Sequence, residues 1–377
     1  MSGHLVIVGA GIMGLAHALA GLRAGLRVTV VEREARANGA SIRNFGFVTV
    51  TGQEQGLVWR RAKRARDIWA GLVEPAGIAV HQRGLLMVAR RPEALTVLEE
   101  FRTTDMGAEC RILDRVALAE IAPMLGGVLV GALHSPHEIR VESRNAIPQL
   151  TAWLAAQGVR FIQRTAVRTV FSGAIETTSE RISCDHVVVC PGPDLVTLFP
   201  DIFARRNVTL CKLHMLRLAN PGYVLPAPVM SDLGLVRYLG YAMPSLPALR
   251  RRLEAEQSSW LADGIHLIAV QGEDGSLVVG DSHHYDPTPD PFQPEAVDRR
   301  ILAEFEAVTG RQAPAVLERW IGVYPSGPDV AFTETPMPGV RLAMVTSGTG
   351  ASTAFAIAEE SIADLLDNPP PEHARLQ

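Results

Sequence analysis

Six residues near the start of the chain, Gly9-Ala10-Gly11-Ile12-Met13-Gly14, have the types and spacing to hold a pyrophosphate. Gly9 permits a tight turn, and Gly11, lacking a Cβ, lets a phosphate approach the backbone. A helix opening at this point offers free N–H groups and the positive end of its dipole to the anion. Glu32 stands eighteen residues after Gly14, the spacing at which a carboxylate meets the hydroxyls of a dinucleotide ribose. Its charge would repel a 2′-phosphate, so a 2′-phosphorylated nucleotide is disfavoured. A second glycine-rich turn, Ser347-Gly348-Thr349-Gly350, precedes another helical pattern and could present backbone N–H groups to a second anionic edge.

These residues need strands and helices to position them, and the pattern supplies both. Residues 5–8 are apolar and β-branched, residues 11–22 carry helical spacing, Gly25 is a helix stop, and residues 28–31 form the next buried strand. A further amphipathic helix is expected after Gln53, from Ala62, Ile68, Trp69 and Leu72. Short strand-like runs follow at 85–89, 128–133, 210–218, 265–271 and 276–282, broken by turn residues such as Glu273-Asp274-Gly275. They predict a mostly antiparallel sheet. Between and after them the α/β pattern returns: a helix at 147–157, strands at 159–162, 186–189 and 342–345, and a long helix at 351–366. A discontinuous dinucleotide-binding domain is therefore expected at 1–80, 141–205 and 311–377, with a substrate domain inserted at 81–140 and 206–310. The tail from Asn368, with three consecutive prolines, is expected to be disordered.

Composition narrows the class. The chain has 377 residues, 47% hydrophobic, 20% charged, with a net charge of −4. That balance does not suggest a nucleic-acid partner. The basic runs at 60–66 and 250–252 read as solvated helix faces. No apolar run approaches the roughly 20 residues that span a bilayer, and no signal peptide is visible, so the expected location is cytoplasmic. Cys110, Cys184, Cys190 and Cys211 are scattered, without the spacing of a disulfide framework or a metal site; no metal is expected.

Several segments carry a resemblance. Gly39-Ala40-Ser41-Ile42-Arg43-Asn44-Phe45-Gly46, Val187-Val188-Val189-Cys190-Pro191-Gly192, the Trp320–Asp329 stretch (W-x-G-x-x-P-x-x-P-D) and the closing Gly348-Thr349-Gly350 resemble segments of FAD-dependent oxidoreductases of the D-amino-acid-oxidase/glycine-oxidase superfamily. The resemblance implies an α/β plus antiparallel β architecture: a Rossmann-type FAD-binding domain with an inserted, mostly antiparallel substrate domain. It implies FAD contacts at Gly9, Gly11, Gly14, Glu32, Arg33, Ser41, Asn44, Phe45, Gly46, Val167, Gly192, Gly348, Thr349 and Gly350. No cysteine in the matching stretches resembles the anchor of a covalent flavin, so FAD is expected to be non-covalent. Strings around Cys211–Arg217, Asp274–Tyr285 and the Tyr324-Pro325-Ser326 turn are similar to a bacterial branch proposed to oxidise aminophosphonates. This chain departs from that branch at His214 and His284.

In such chemistry a hydride equivalent passes from the carbon beside nitrogen to flavin N5, and the imine hydrolyses to an aldehyde and an amine. O2 or another acceptor then takes the electrons. No side chain is assigned as catalytic. A phosphonate needs charge-assisted donors, and the candidates are Arg43, Lys212, His214, His283 and Tyr324, with Arg217 a weaker one. Lys63 and Lys212 are the only lysines, which draws attention to Lys212. Strand alternation puts Lys212 and His214 on one face, and Asp281, His283 and Tyr285 together on another; which face meets the flavin stays open. Each candidate also has a structural reading, as a surface ion pair or a satisfied core histidine. The alternatives are the same flavin chemistry on glycine, sarcosine or a D-amino acid, a nicotinamide-dependent dehydrogenase, and a non-catalytic flavoprotein subunit.

Overall fold

The structure is a computed structural model that describes residues 3–367. The expected disorder from Asn368 onward falls outside the described residues. Strand His4–Val8 pairs in parallel with Arg27–Val31 on one side and His186–Val189 on the other. Arg160–Ile162 and Val340–Ser347 extend this parallel block outward. Its strands are apolar on both faces because both faces are covered. Leu5, Ile7, Val28 and Val188 pack against the side of helices Ile12–Arg23 and Gly350–Asp367. Val6, Val31, Val187 and Val189 pack on the opposite side, against a three-stranded antiparallel sheet (Val167–Phe171, Ala174–Thr177, Arg181–Ser183) and helix Pro200–Arg205.

Strand Val316–Met337 joins the two halves: it is antiparallel to both Val340–Ser347 and Thr209–Leu218. Beyond it the sheet continues through Leu277–Gly280, Ile268–Gln271, Val229–Met230, Val80–Ala89, Gly131–Val141 and Phe47–Val48; with His284–Asp286 and Arg111–Asp114 pairing beside this path, it has fifteen strands among the described residues. Pairing there is antiparallel except between Val229–Met230 and Val80–Ala89. The expected mixture of a parallel α/β block and a mostly antiparallel sheet is what the chain forms.

Two details differ from the sequence reading. The Tyr324-Pro325-Ser326 segment is not a turn; it lies inside the Val316–Met337 strand, where Pro325 sits opposite Leu210. The antiparallel half also contains helices that the run of short strands concealed: Pro92–Arg102, Leu246–Glu256 and Glu295–Thr309. The last buries Val297, Ile301, Phe305 and Val308, an i, i+4, i+8, i+11 stripe that packs on the sheet. Among the described residues no helix is long and apolar enough to cross a membrane.

Candidate active site

The loops after strands His4–Val8, His186–Val189 and Val340–Ser347 open on one cavity of about 420 Å³, at the carboxyl ends of the parallel strands where α/β sheets bind ligands. The glycine loop forms one wall. Gly9 has φ +100°, and a Cβ there would lie 2.4 Å from the Cys190 carbonyl oxygen. At Gly14 a Cβ would lie 1.8 Å from the Gly9 carbonyl oxygen. These glycines are thus required by the packing of loop, strand and helix. Glu32 accepts hydrogen bonds from the backbone N–H of Ala10 (2.8 Å) and of Glu34 (3.0 Å), which fixes its carboxylate beside the loop.

Gly11, Ser41, Asn44, Phe45, Gly192, Gly348, Thr349 and Gly350 line the cavity. Ser41 Oγ accepts from the Ile12 N–H at 2.9 Å, so the helix N-terminus faces the cavity as the motif requires. Asn44 ties the 39–46 segment together: it donates to the Ala40 carbonyl, and its Oδ1 accepts from Gly46 N–H and Ser143 Oγ. Gly46, at φ +67°, lies against the Val141 carbonyl. Gly348, at φ +75°, would carry a Cβ 3.0 Å from the Tyr324 ring, so this tyrosine rests over the closing glycine turn. A helix N-terminus and Cβ-free backbone on the cavity wall, with a carboxylate fixed beside the glycine loop, fit a flavin dinucleotide. Gly9, Glu32, Arg33, Gly46 and Val167 are not on the cavity wall. Arg33 is 54% exposed in an ion pair with Asp194, and Val167 is buried in the three-stranded sheet.

The substrate candidates divide by strand face. Arg43, His283 and Tyr324 line the cavity, together with Asp281 and Tyr285. Lys212 and His214 do not. Lys212 Nζ donates to Asp290 (2.9 Å) and to the Phe292 carbonyl. His214 Nδ1 lies 3.0 Å from Asp298 on helix Glu295–Thr309. Alternation along Thr209–Leu218 is as expected, but the cavity face is that of Leu213; the opposite face is covered by the helix hidden from the sequence reading. His284 likewise faces His214, with ring centroids 5.7 Å apart. Arg217 is structural, donating to Glu318 and Ser276.

The strongest cation in the cavity is Arg237, which no motif marks; it follows a short turn of 3-10 helix, Asp232–Val236. It donates to the hydroxyls of Tyr285 and Tyr324, each at 3.1 Å. Burial works against its charge, but Tyr324, Tyr285 and Asp281 outweigh burial and hold the guanidinium ionised. Beside it lie His266, Asp281 and His283, all buried. Asp281 Oδ1 is 3.3 Å from His266 Nδ1, and its Oδ2 is 3.8 Å from His283 Nε2. Burial pushes the Asp281 carboxyl up to about 7, against the pull of Arg237. Burial, then Arg237, pushes both imidazoles well below their ordinary range, so they are neutral. The donor atoms of the three lie within 4.8 Å of one another, near enough for a divalent ion, but the facing Arg237 charge opposes one. Asp281 was legible only as a face-mate of His283 and Tyr285; nothing in the sequence pointed to His266.

Among curated proteins none matches this sequence. Among solved structures the chain is similar to glycine oxidase from Geobacillus kaustophilus, with a TM-score of 0.77, 18% identity, and coverage of 98% of this chain and 96% of that one. L-proline dehydrogenase from P. horikoshii gives a TM-score of 0.77 at 18% identity, covering 98% and 95%. Iminodiacetate oxidase from Chelativorans sp. BNC1 gives 0.72 at 18%, covering 98% and 96%. At this identity the likeness establishes the fold. The family model for FAD dependent oxidoreductases of the DAO type matches residues 4–365. With that match across nearly its whole length, and with a glycine cradle of the required shape, the chain belongs to the DAO family of FAD dependent oxidoreductases.

Proposed function

We propose that this protein oxidises the C–N bond of a small amine that carries an anionic group, and that the substrate is an aminophosphonate, an N-methylated or 1-hydroxylated relative of 2-aminoethylphosphonate. The observation that carries the reading is Arg237, a half-buried cation donating to two tyrosine hydroxyls at the wall of the cavity. A guanidinium beside two hydroxyls is a donor set for an oxyanion with several acceptor oxygens. The three similar structures are named for glycine, proline and iminodiacetate, amines that also carry an anionic group.

FAD held here would supply the hydride acceptor. Gly11, Gly14, Ser41, Asn44, Phe45, Gly192, Gly348, Thr349 and Gly350 would hold it, with Glu32 toward its ribose. The attachment would be non-covalent: Cys190, the cysteine lining the cavity, has its thiol pushed far up by burial, which removes the thiolate nucleophile. Arg237, Tyr285 and Tyr324 bind and orient the anion; Arg43 is a second cation on the cavity wall. The division into an FAD part (1–80, 141–205, 311–377) and a substrate part (81–140, 206–310) belongs to the same reading, as does a cytoplasmic location. A carboxylate would use the same donors, so glycine or sarcosine is the alternative substrate.

An anaerobic absorbance titration tests the proposal, adding N-methyl-2-aminoethylphosphonate, 1-hydroxy-2-aminoethylphosphonate, glycine and sarcosine in turn. Bleaching of the flavin band by one of the phosphonates is the expected result. Bleaching by the amino acids alone would overturn the phosphonate assignment.

A further inference from the structure

We infer that Asp281, flanked by His266 and His283, is the subsite that receives the substrate's amino group and takes its proton. The inference rests on Arg237 as the anion site and adds the second pole of a zwitterionic substrate. Its basis is a pair of acceptors, Asp281 Oδ2 and His283 Nε2, that face each other with no donor between them. His283 Nδ1 lies 2.8 Å from the Gly264 carbonyl oxygen, and a carbonyl only accepts, so the neutral ring carries its proton on Nδ1. Nε2 therefore turns a lone pair toward Asp281 Oδ2, at 3.8 Å. The other carboxylate oxygen, Oδ1, lies 3.3 Å from the facing His266 Nδ1 and has no other polar partner. Buried polar atoms in native proteins are nearly always satisfied. An ammonium carries donors and no acceptor, the chemistry that the Oδ2–Nε2 pair lacks.

Asp281, His266 and His283 line the same cavity as Arg237. A zwitterion with its anion on Arg237 would thus meet a carboxylate of opposite charge in the same chamber. In the proton step an N–H bond of the ammonium breaks and an O–H bond forms on Asp281. The electron pair stays on nitrogen, and nothing is oxidised or reduced. The amine is then neutral, as hydride loss from the adjacent carbon requires. Burial supports the step by raising the basicity of the carboxylate.

The test measures ligand affinity on the holoenzyme under anaerobic conditions, from calorimetry and from the flavin difference spectrum. Two pairs serve as probes: 2-aminoethylphosphonate against ethylphosphonate, and glycine against acetate. Wild type should prefer the amino member, and Asp281→Asn should erase a preference of about tenfold or more without weakening the binding of ethylphosphonate. A D281N protein that keeps the preference overturns the inference. So does stoichiometric metal by elemental analysis whose chelation abolishes the preference in wild type.

A second measurement needs no variant. The preference in wild type should fall as pH drops below 7, where Asp281 gains a proton. The other groups facing Asp281 hold their charge state there: Arg237 stays ionised, and His266, His283, Tyr238 and Cys211 stay neutral. A pH-independent preference overturns the inference. If both phosphonates fail to bind but the glycine pair shows the Asp281-dependent preference, the phosphonate reading falls and the amino subsite stands.

Discussion

The two halves of the cavity work by different physics. On the parallel side, function rests on backbone: positive-φ glycines, a helix end and one carboxylate held by backbone N–H groups. Each part is a short loop whose shape is set locally. On the antiparallel side, the wall is made of ionisable side chains from four separate segments: Arg237, His266, the Asp281–Tyr285 segment and Tyr324. The first half tolerates little change in shape and the second little change in charge.

The sharpest way to break this contrast is at Gly14. Its absent Cβ would sit 1.8 Å from a backbone oxygen, which no side-chain rotation relieves. Gly14→Val should yield protein with essentially no bound flavin, read from the absorbance ratio at 450 and 280 nm, a choice of wavelengths set by flavin and aromatic absorption (roughly, for any flavoprotein). Arg237→Met should do the converse. Flavin content should persist while kcat/KM falls by about 100-fold or more, the scale of a lost buried charge-assisted contact. If the two variants lose flavin equally, the division of labour is wrong.

The pH dependence sharpens the second half. With its carboxyl raised to about 7, Asp281 is neutral below that pH and ionised above it. The acid limb of kcat/KM should therefore rise through pH 7 and flatten in Asp281→Asn. Stability should run the other way. A carboxyl whose folded pKa lies above its unfolded value stabilises most at low pH, and that contribution disappears as pH rises toward 7. Thermal midpoints of wild type and the Asn variant, measured from pH 4 to 8, should diverge accordingly. Equal pH slopes would remove Asp281 from its assigned place.

Smaller effects are expected where the sequence candidates turned out to face elsewhere. His214→Ala breaks a buried contact with Asp298 and should cost about 1–3 kcal/mol of stability, with kcat/KM changed less than about threefold by the same reasoning. Arg33→Ala removes an exposed pair with Asp194 and should shift stability by less than about 1 kcal/mol. Its flavin affinity should be unaltered; a clear loss would return Arg33 to the cofactor site.

Legibility followed the same divide. Gly9, Gly11, Gly14 and Glu32 could be read because turn, strand and helix lie within one short stretch whose geometry is local. The face shared by Asp281, His283 and Tyr285 was also legible, since alternation is a property of any strand. The choice between faces was not. It depends on what covers the sheet, and helix Glu295–Thr309, which holds His214 through Asp298, was hidden between strand-like runs. Its stripe of Val297, Ile301, Phe305 and Val308 was there to be found.

The sequence by itself determined the dinucleotide loop with its flanking strand and helix and the alternation of the inserted strands, because each depends on contacts between near neighbours in the chain. Tertiary structure alone decided that Arg237 meets Tyr285 and Tyr324, that Asp281 lies between two histidines, and that Lys212 is spent on Asp290. All of these but the Asp281–His283 contact join residues well separated in the chain, and what each group can do was set by burial and by neighbouring charge once the chain had folded.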